Sequence, residues 1–242
     1  MVCECVSIII PTYNERENVK ELIPLIASIA NNNGIKYEII VVDDDSPDKT
    51  WEVAKEYEDK YNVKVFVRRG ERGLSSAIIY GAKNASCPCV VVMDADFQHP
   101  PEKIPDIVDL LNKGCDVVVA SRYTKGGGVE GWSKLRYIES KVATIIARIF
   151  LPPVRKISDP MSGFFGARRE LLLNPDIRPM GYKILIEVIV KNPSVKVCET
   201  PYVFRSRRKG KSKLGKKTIF EYLIQVLLDA IYIVKNKIRK QK

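Results

Sequence analysis

The chain has 242 residues, 45% of them hydrophobic and 29% charged, with 14 glycines, 14 prolines, six cysteines and one histidine. That apolar fraction excludes a disordered chain and suffices for one large domain with a sizeable core, while the lack of any 18-residue apolar run excludes an obvious membrane span. The net charge of +11 is unevenly placed: residues 202–242 carry thirteen lysines and arginines against Glu221 and Asp229, and residues 1–201 are balanced. The C-terminal end is therefore expected to meet a polyanion or an acidic surface.

The first residues show no basic segment followed by an apolar one, so a cytosolic protein is expected. Apolar runs of strand length come next, at residues 6–10, 38–42, 63–67, 90–93 and 117–120, separated by segments of helical period such as Val19, Leu22, Ile23 and Ile26. The strands are unbroken runs of valine and isoleucine, as in strands buried on both faces, and their alternation with helices predicts an α/β fold built on a mostly parallel sheet. Asn14 and Glu17 read as a capping box, Ser46 and Pro47 as the start of a second helix, and Gly114 as the end of a helix beginning near Pro101. After Tyr123 a glycine-rich loop at residues 126–128 leads to an apolar helical stretch at 138–151. A last helix is expected at 218–234. It bears Glu221, Gln225 and Asp229 as a narrow polar stripe on an otherwise apolar cylinder, is too short to span a bilayer, and needs its own domain, a partner helix or a membrane interface to cover it.

The cysteines form two C-x-C pairs, Cys3/Cys5 and Cys87/Cys89, with Cys115 and Cys198 alone. This spacing is tighter than that of zinc ribbons and no histidine is near, so reduced thiols are expected. Two nucleotide-binding patterns fail on context. Residues 126–131 fit G-x-G-x-x-G but do not join a buried strand to a helix, and residues 210–216 fit a P-loop except that Lys217 stands where Ser or Thr must meet Mg2+. The single His99, with two prolines after it, reads as a structural loop residue.

The carboxyl ends of the strands are more telling, because in an open parallel sheet ligands bind beyond them. Three such ends run into polar clusters: Pro11 to Glu15, Asp43 to Asp45, and Asp94 with Asp96. Asp94 and Asp96, leaving a strand at i and i+2, can present two hard oxygens on one side, with Gln98 as a third, which suits Mg2+ or Mn2+ bound together with a diphosphate. Basic groups accompany them: Arg122 after the fifth strand, Arg136 at the start of the apolar helix, and Arg205, Arg207, Arg208, Lys209, Lys211 and Lys213 in one late loop. Guanidinium groups at that rim would grip phosphate. A nucleic-acid partner is not expected, since no aromatics are interleaved with the basic run and the acidic rim would repel phosphates.

Eight ordered segments resemble the inverting family 2 glycosyltransferases of GT-A fold and, within them, the dolichyl-phosphate mannosyltransferases. They are Pro11-Thr-Tyr-Asn-Glu-Arg-Glu17, Val42-Asp-Asp-Asp-Ser-Pro-Asp48, Gly73-Leu-Ser-Ser76, Met93-Asp-Ala-Asp-Phe-Gln-His-Pro100, Ser121-Arg-Tyr123, Asp159-Pro-Met-Ser-Gly163, Gly181-Tyr-Lys-Ile-Leu185 and Gly210-Lys-Ser-Lys213. The resemblance implies a Rossmann-like GT-A sheet with a C-terminal amphipathic helix. A catalytic domain would occupy residues 1–217, with an interface helix at about 136–151 and a mobile basic loop at 205–217, and a membrane-associating segment would occupy 218–242. It implies that Pro11, Tyr13, Glu15, Asp44 and Asp94 hold the donor nucleotide and that Asp94, Asp96 and Gln98 ligate Mg2+ or Mn2+. Arg122, Arg136, Ser140 and Arg207 would grip the acceptor phosphate, with Ser212 and Lys213 in the loop that closes over it, and Asp96, Arg122 and Arg207 would carry the chemistry. The implied reaction moves mannose from GDP-mannose to dolichyl or polyprenyl phosphate on the cytoplasmic face of a membrane, where the protein is peripheral and small membrane subunits stand among its partners. UDP-glucose as donor, or a glycan or protein hydroxyl as acceptor, are the alternatives. Many relatives carry Asp-Asp-Gly-Ser after the second strand where this chain has Asp45. No general base stands out, and a phosphate acceptor needs none: with a second pKa near 6 it is already ionised.

Overall fold

The computed structural model describes residues 2–206 and 216–240. The expected alternation is present: β1 (Val6–Thr12), α1 (Arg16–Asn32), β2 (Tyr37–Asp43), α2 (Thr50–Lys55), α3 (Glu58–Tyr61), β3 (Val63–Val67), α4 (Leu74–Asn84), β4 (Cys89–Val92), α5 (Ile104–Asn112) and β5 (Val117–Ser121). Then come β6 (Gly128–Val129), α6 (Lys134–Phe150), β7 (Phe165–Arg168), α7 (Arg169–Leu172), α8 (Ile184–Lys191), β8 (Val197–Pro201), β9 (Val203–Phe204) and α9 (Lys216–Lys240). Seven strands form one sheet in the order β3-β2-β1-β4-β7-β5-β8, parallel except for β7, and β6 pairs with β9 separately. Strand residues alternate between the two apolar layers. Ile8 and Ile10 enter the core under α1 and α5, whereas Ile9 faces the core shared with α4, α8 and α9. At Gly81 of α4 an added Cβ would lie 2.6 Å from Ile9 Cγ2, so glycine there lets helix and sheet close on each other.

Two helix starts differ from the sequence reading. Asn14 takes a left-handed backbone (φ 58°) and α1 begins at Arg16, with no side-chain cap. Likewise α2 begins at Thr50 after the left-handed Lys49, not at Pro47. The polar residues instead brace the two loops against each other: Asn14 N donates to Ser46 Oγ (2.9 Å), Glu15 N to Thr50 Oγ1 (2.9 Å), and the Ser46 hydroxyl to Asp43 Oδ2 (2.7 Å). A long-range partner outcompetes the local cap. Gly114, left-handed at φ 90°, does close α5. Asp45 also has positive φ, 53°, and is exposed, a conformation that glycine adopts freely and aspartate tolerates.

The reduced-thiol reading is overturned. Cys3 is bonded to Cys89, Cys5 to Cys87 and Cys115 to Cys198. Parallel pairing of β1 with β4 sets Val6 opposite Cys89, and that of β5 with β8 sets Val118 opposite Cys198, so each cysteine meets its partner across neighbouring strands. Spacing along the chain shows the C-x-C arms but not that they cross-link.

The last helix is turned opposite to a surface helix of an ordinary globule. Its polar stripe is the buried side: Gln225 is 4% and Asp229 2% exposed, while Phe220 is 65% and Leu227 61% exposed. Asp229 Oδ1 meets Lys191 Nζ of α8 at 2.9 Å, Gln225 Nε2 donates to Lys183 O (3.0 Å), and the Tyr222 hydroxyl donates to Ala143 O of α6 (2.6 Å). Beside it α6 buries only Thr144 and Ala147 and presents Leu135, Ile138, Val142, Ile145 and Ile149 outward. No helix among the described residues is long and apolar enough to cross a membrane.

Candidate active site

The parallel strands β1, β2 and β4 end side by side, Thr12 opposite Asp43, and the loops that leave them form one rim. Of the three consecutive aspartates, Asp43 is fully buried and accepts the Thr12 hydroxyl (2.7 Å). Asp44 is clamped: Oδ1 accepts from Arg68 Nε (2.8 Å) and Nη2, and Oδ2 from Gly73 N (2.9 Å). Arg68 also reaches Ser76 Oγ and Gly73 O, so it ties the second strand end to the start of α4. Sequence reasoning missed Arg68, because nothing in its local pattern distinguishes it from Arg69. Tyr13 carries the Arg72 guanidinium over its ring at 4.6 Å, and Glu15 Oε2 accepts from Asn18 Nδ2. Pro11, Tyr13, Glu15 and Asp44 thus lie at adjoining strand ends.

Beyond β4 the chain turns through Asp94, Asp96 and Gln98. Asp96 is buried and its Oδ1 accepts from Gln98 N (3.1 Å), while the Asp94 side chain is partly exposed. His99 props this turn: its Nδ1 accepts the Asp94 N–H (3.0 Å), and its ring stacks on Phe164 and meets Tyr202 and Phe204 edge-on. Burial pulls the His99 pKa down to about 4, against the raising effect of Asp96, so the ring is neutral and able to accept. No group of three or more His, Cys, Asp or Glu suited to a metal occurs among the described residues. Two carboxylates and an amide on one turn nevertheless fit Mg2+ or Mn2+, which take hard oxygens from one or two carboxylates and the rest from substrate phosphates and water.

The basic side joins this turn directly. Gln98 Nε2 donates to Arg205 O (3.3 Å) and Arg205 N to Gln98 O (3.2 Å). Arg122 is buried and donates to Asp159 from its backbone N–H (3.1 Å), Nε (2.6 Å) and Nη2 (2.6 Å). Burial opposes its charge, but Asp159 more than offsets this and the guanidinium pKa is raised. Asp159 is fixed in turn: Glu199 of β8 accepts the N–H groups of Ser158 and Asp159. Arg136 comes from the first turn of α6, yet its guanidinium lies 4.6 Å from the Trp132 ring, which Arg122 approaches at 5.3 Å; both also lie within 6 Å of Phe204. Two like charges thus share one aromatic surface, an arrangement that favours an anion. Ser140, one turn along α6, accepts from the Tyr123 hydroxyl (2.9 Å). Arg207, Ser212 and Lys213 lie outside the described residues.

Between the acidic and basic sides runs the segment 159–163. Gly163 lies against the acidic turn, where an added Cβ would be 3.2 Å from His99 and 3.8 Å from Asp94 Oδ2. Met161 O accepts from Lys183 Nζ (2.7 Å), and burial together with Arg122 pulls the Lys183 ammonium down to about 7.

A mostly parallel sheet with acidic side chains at its strand ends is the layout of a GT-A glycosyltransferase, and the family model for glycosyl transferase family 2 matches residues 7–173: the chain belongs to that family. Its relatives within it include dolichol-phosphate mannosyltransferases. That of Pyrococcus furiosus is 53% identical over 218 residues, 90% of this chain, and that of Saccharomyces cerevisiae 39% identical over 240, covering 95% of this chain and 87% of its own length. The chain spans 61% of the length of the Pyrococcus protein. Among solved structures, glucosyl-3-phosphoglycerate synthase of Mycobacterium tuberculosis, in complex with Mn2+, UDP-glucose and phosphoglyceric acid, superposes with a TM-score of 0.70 at 20% identity, covering 95% of this chain and 79% of that one. At that identity the likeness is one of fold.

Proposed function

We propose that the chain transfers mannose from GDP-mannose to dolichyl or another polyprenyl phosphate, inverting the anomeric carbon, at the cytoplasmic face of a membrane. The observation that carries this reading is the Arg122/Arg136 pair gathered on Trp132 and Phe204, with the neighbouring Arg205 backbone bonded to Gln98 of the acidic turn. It supplies a phosphate grip beside a diphosphate site and calls for no general base. A groove of about 390 Å3, lined by Val129, Trp132, Ser133, Lys134, Tyr137 and Ile138, adjoins Arg136, so an apolar tail and an anionic head find adjacent surfaces.

Pro11, Tyr13, Glu15 and Asp44 hold the nucleoside, with Asp44 kept in place by Arg68. Asp94, Asp96 and Gln98 would hold Mg2+ or Mn2+, which neutralises the leaving diphosphate when bound. Arg122 and Arg136, with Arg207 of the basic loop, orient the acceptor so that a phosphate oxygen attacks the anomeric carbon as the bond to the nucleotide's β-phosphate oxygen breaks. GDP leaves and the configuration changes from α to β. Ser140 adds a hydroxyl to the grip, and Ser212 and Lys213 close over it. The outward apolar faces of α6 and α9, with Lys235, Lys237 and Arg239 in the last turns of α9, fit an anionic bilayer surface, each basic residue contributing about 1 kcal/mol.

Radiolabelled GDP-mannose, incubated with dolichyl phosphate and Mn2+, should yield label that partitions into organic solvent. Label that stays aqueous, or appears in the lipid only with UDP-glucose, refutes the proposed donor.

A further inference from the structure

The Gly181 to Leu185 segment takes no part in the transfer scheme, yet its lysine stands where donor and acceptor would meet. Lys183 Nζ is 2.7 Å from Met161 O, in the segment whose one end holds Arg122 through Asp159 and whose other end, Gly163, abuts Asp94 and His99. The charges that act on this ammonium are those of Arg122, Asp159 and Asp94, one pair from the acceptor side and one candidate metal ligand from the donor side. Met161 O takes one of the three donors of an ammonium and leaves two. Transfer must bring a phosphate anion to within bonding distance of a carbon attached to a diphosphate, and a cation between the two anions lowers that repulsion.

The backbone of the same residue is tied to the last helix. Gln225 Nε2 of α9 donates to Lys183 O (3.0 Å), and its Oε1 is buried with no hydrogen-bond partner among the described residues. Gln225 lies one turn from Asp229, whose pairing with Lys191 holds α9 to α8. An apolar residue in that buried position would spare the unpaired oxygen, so packing alone does not account for a glutamine there.

We propose that Lys183 is a catalytic cation that binds the acceptor phosphate on its donor-facing side, and that Gln225 is a positioning residue that sets Lys183 from α9. This rests on the polyprenyl-phosphate reading of the site. The helix with the outward apolar face is then also the one that places a reacting group, so seating α9 on its surface and completing the site are linked.

The full chain is tested as Lys183→Met, Gln225→Leu and the double variant. Affinity for geranyl phosphate in the presence of GDP and Mn2+ is measured alongside turnover, GDP–Mn2+ affinity and Tm. Lys183→Met is expected to weaken geranyl phosphate about 10-fold and to lower kcat about 100-fold, with GDP–Mn2+ affinity changed less than about 3-fold. Gln225→Leu is expected to lower kcat about 10-fold with both KM values unchanged and Tm no lower than wild type, and the double variant to be no slower than Lys183→Met. Unchanged geranyl phosphate binding in Lys183→Met overturns the assignment of Lys183. So does a parallel fall in nucleotide affinity and Tm, the mark of a merely structural lysine. Effects of the two variants that multiply overturn the link to Gln225. Wild-type protein that binds geranyl phosphate through Lys183 but leaves GDP-mannose untouched would defeat the donor reading while leaving Lys183 in place; wild type that does not bind it at all defeats both.

Discussion

Asp159 accepts three hydrogen bonds from Arg122 and is itself fully buried. Its segment stands out in the sequence, but its task does not, because the partner lies 37 residues away and no periodicity links them. Replacing it with asparagine leaves a buried guanidinium without its countercharge. Asp159→Asn should cost about 3 kcal/mol of stability in denaturant unfolding, and in the surviving folded fraction raise the KM for lipid phosphate while sparing that for nucleotide. The acidic side is different: Asp94, Asp96 and Gln98 announce themselves by an i, i+2, i+4 spacing just past a buried strand. Asp96→Ala is expected to lower kcat about 100-fold or more; retention of near-wild-type turnover would remove that turn from the chemistry. Trp132 and Phe204, which bring the two arginines together, were not legible, since aromatic residues in loops read as ordinary core.

At the scale of elements, five strands could be read from runs of valine and isoleucine, and β7 could not. Its Phe-Gly-Ala-Arg is short and polar at one end, and enters the sheet antiparallel only because β4 and β5 leave a gap for it. For the last helix the stripe of Glu221, Gln225 and Asp229 was legible but not its direction, which α8 decides by offering Lys191 and the Lys183 carbonyl. That seam titrates. Burial, with Asp229 adding, pushes the Glu187 carboxyl from 4.5 up to about 7; Asp229 is also raised, and Lys191 and the Arg178 N–H pull the other way. The folded chain therefore holds a proton that the unfolded chain releases, so this contribution to stability is complete below pH 4.5 and is lost as pH rises through 7. Glu187→Gln, which keeps the neutral form, should match wild-type Tm near pH 5 and exceed it at pH 8; thermal scans across that range check the sign. On the opposite side of the same helix, Phe220→Ser with Leu227→Ser should abolish flotation with anionic liposomes while leaving the Tm within a few degrees, because both side chains already lie in solvent.

For the molecule as a whole, the charge asymmetry and the fold class can be read from composition and order of elements, whereas the disulfides cannot. Cys3, Cys87, Cys89 and Cys115 are buried and Cys5 and Cys198 half-buried, and Arg168 Nη1 lies 3.0 Å from Cys3 Sγ and 3.3 Å from Cys89 Sγ. Burial of both sulfurs shields the Cys3–Cys89 pair from attack by a soluble thiolate, while each of the other two bridges keeps one half-buried sulfur that is more open to it. In the chain-entropy account a bridge across 83 residues contributes about 4 kcal/mol, so replacing Cys115 and Cys198 together by serine should lower Tm by about 10 °C in calorimetry.

The same bridges set how far the protein could be stretched. One covalent loop runs from Cys3 to Cys89 and a second from Cys115 to Cys198, and the tension of a single molecule drawn apart by its two ends would bypass both. At about 3.6 Å per residue, the oxidised chain would extend to less than roughly a third of the contour of the reduced chain. A force trace would then read the oxidation state of one molecule directly from its length.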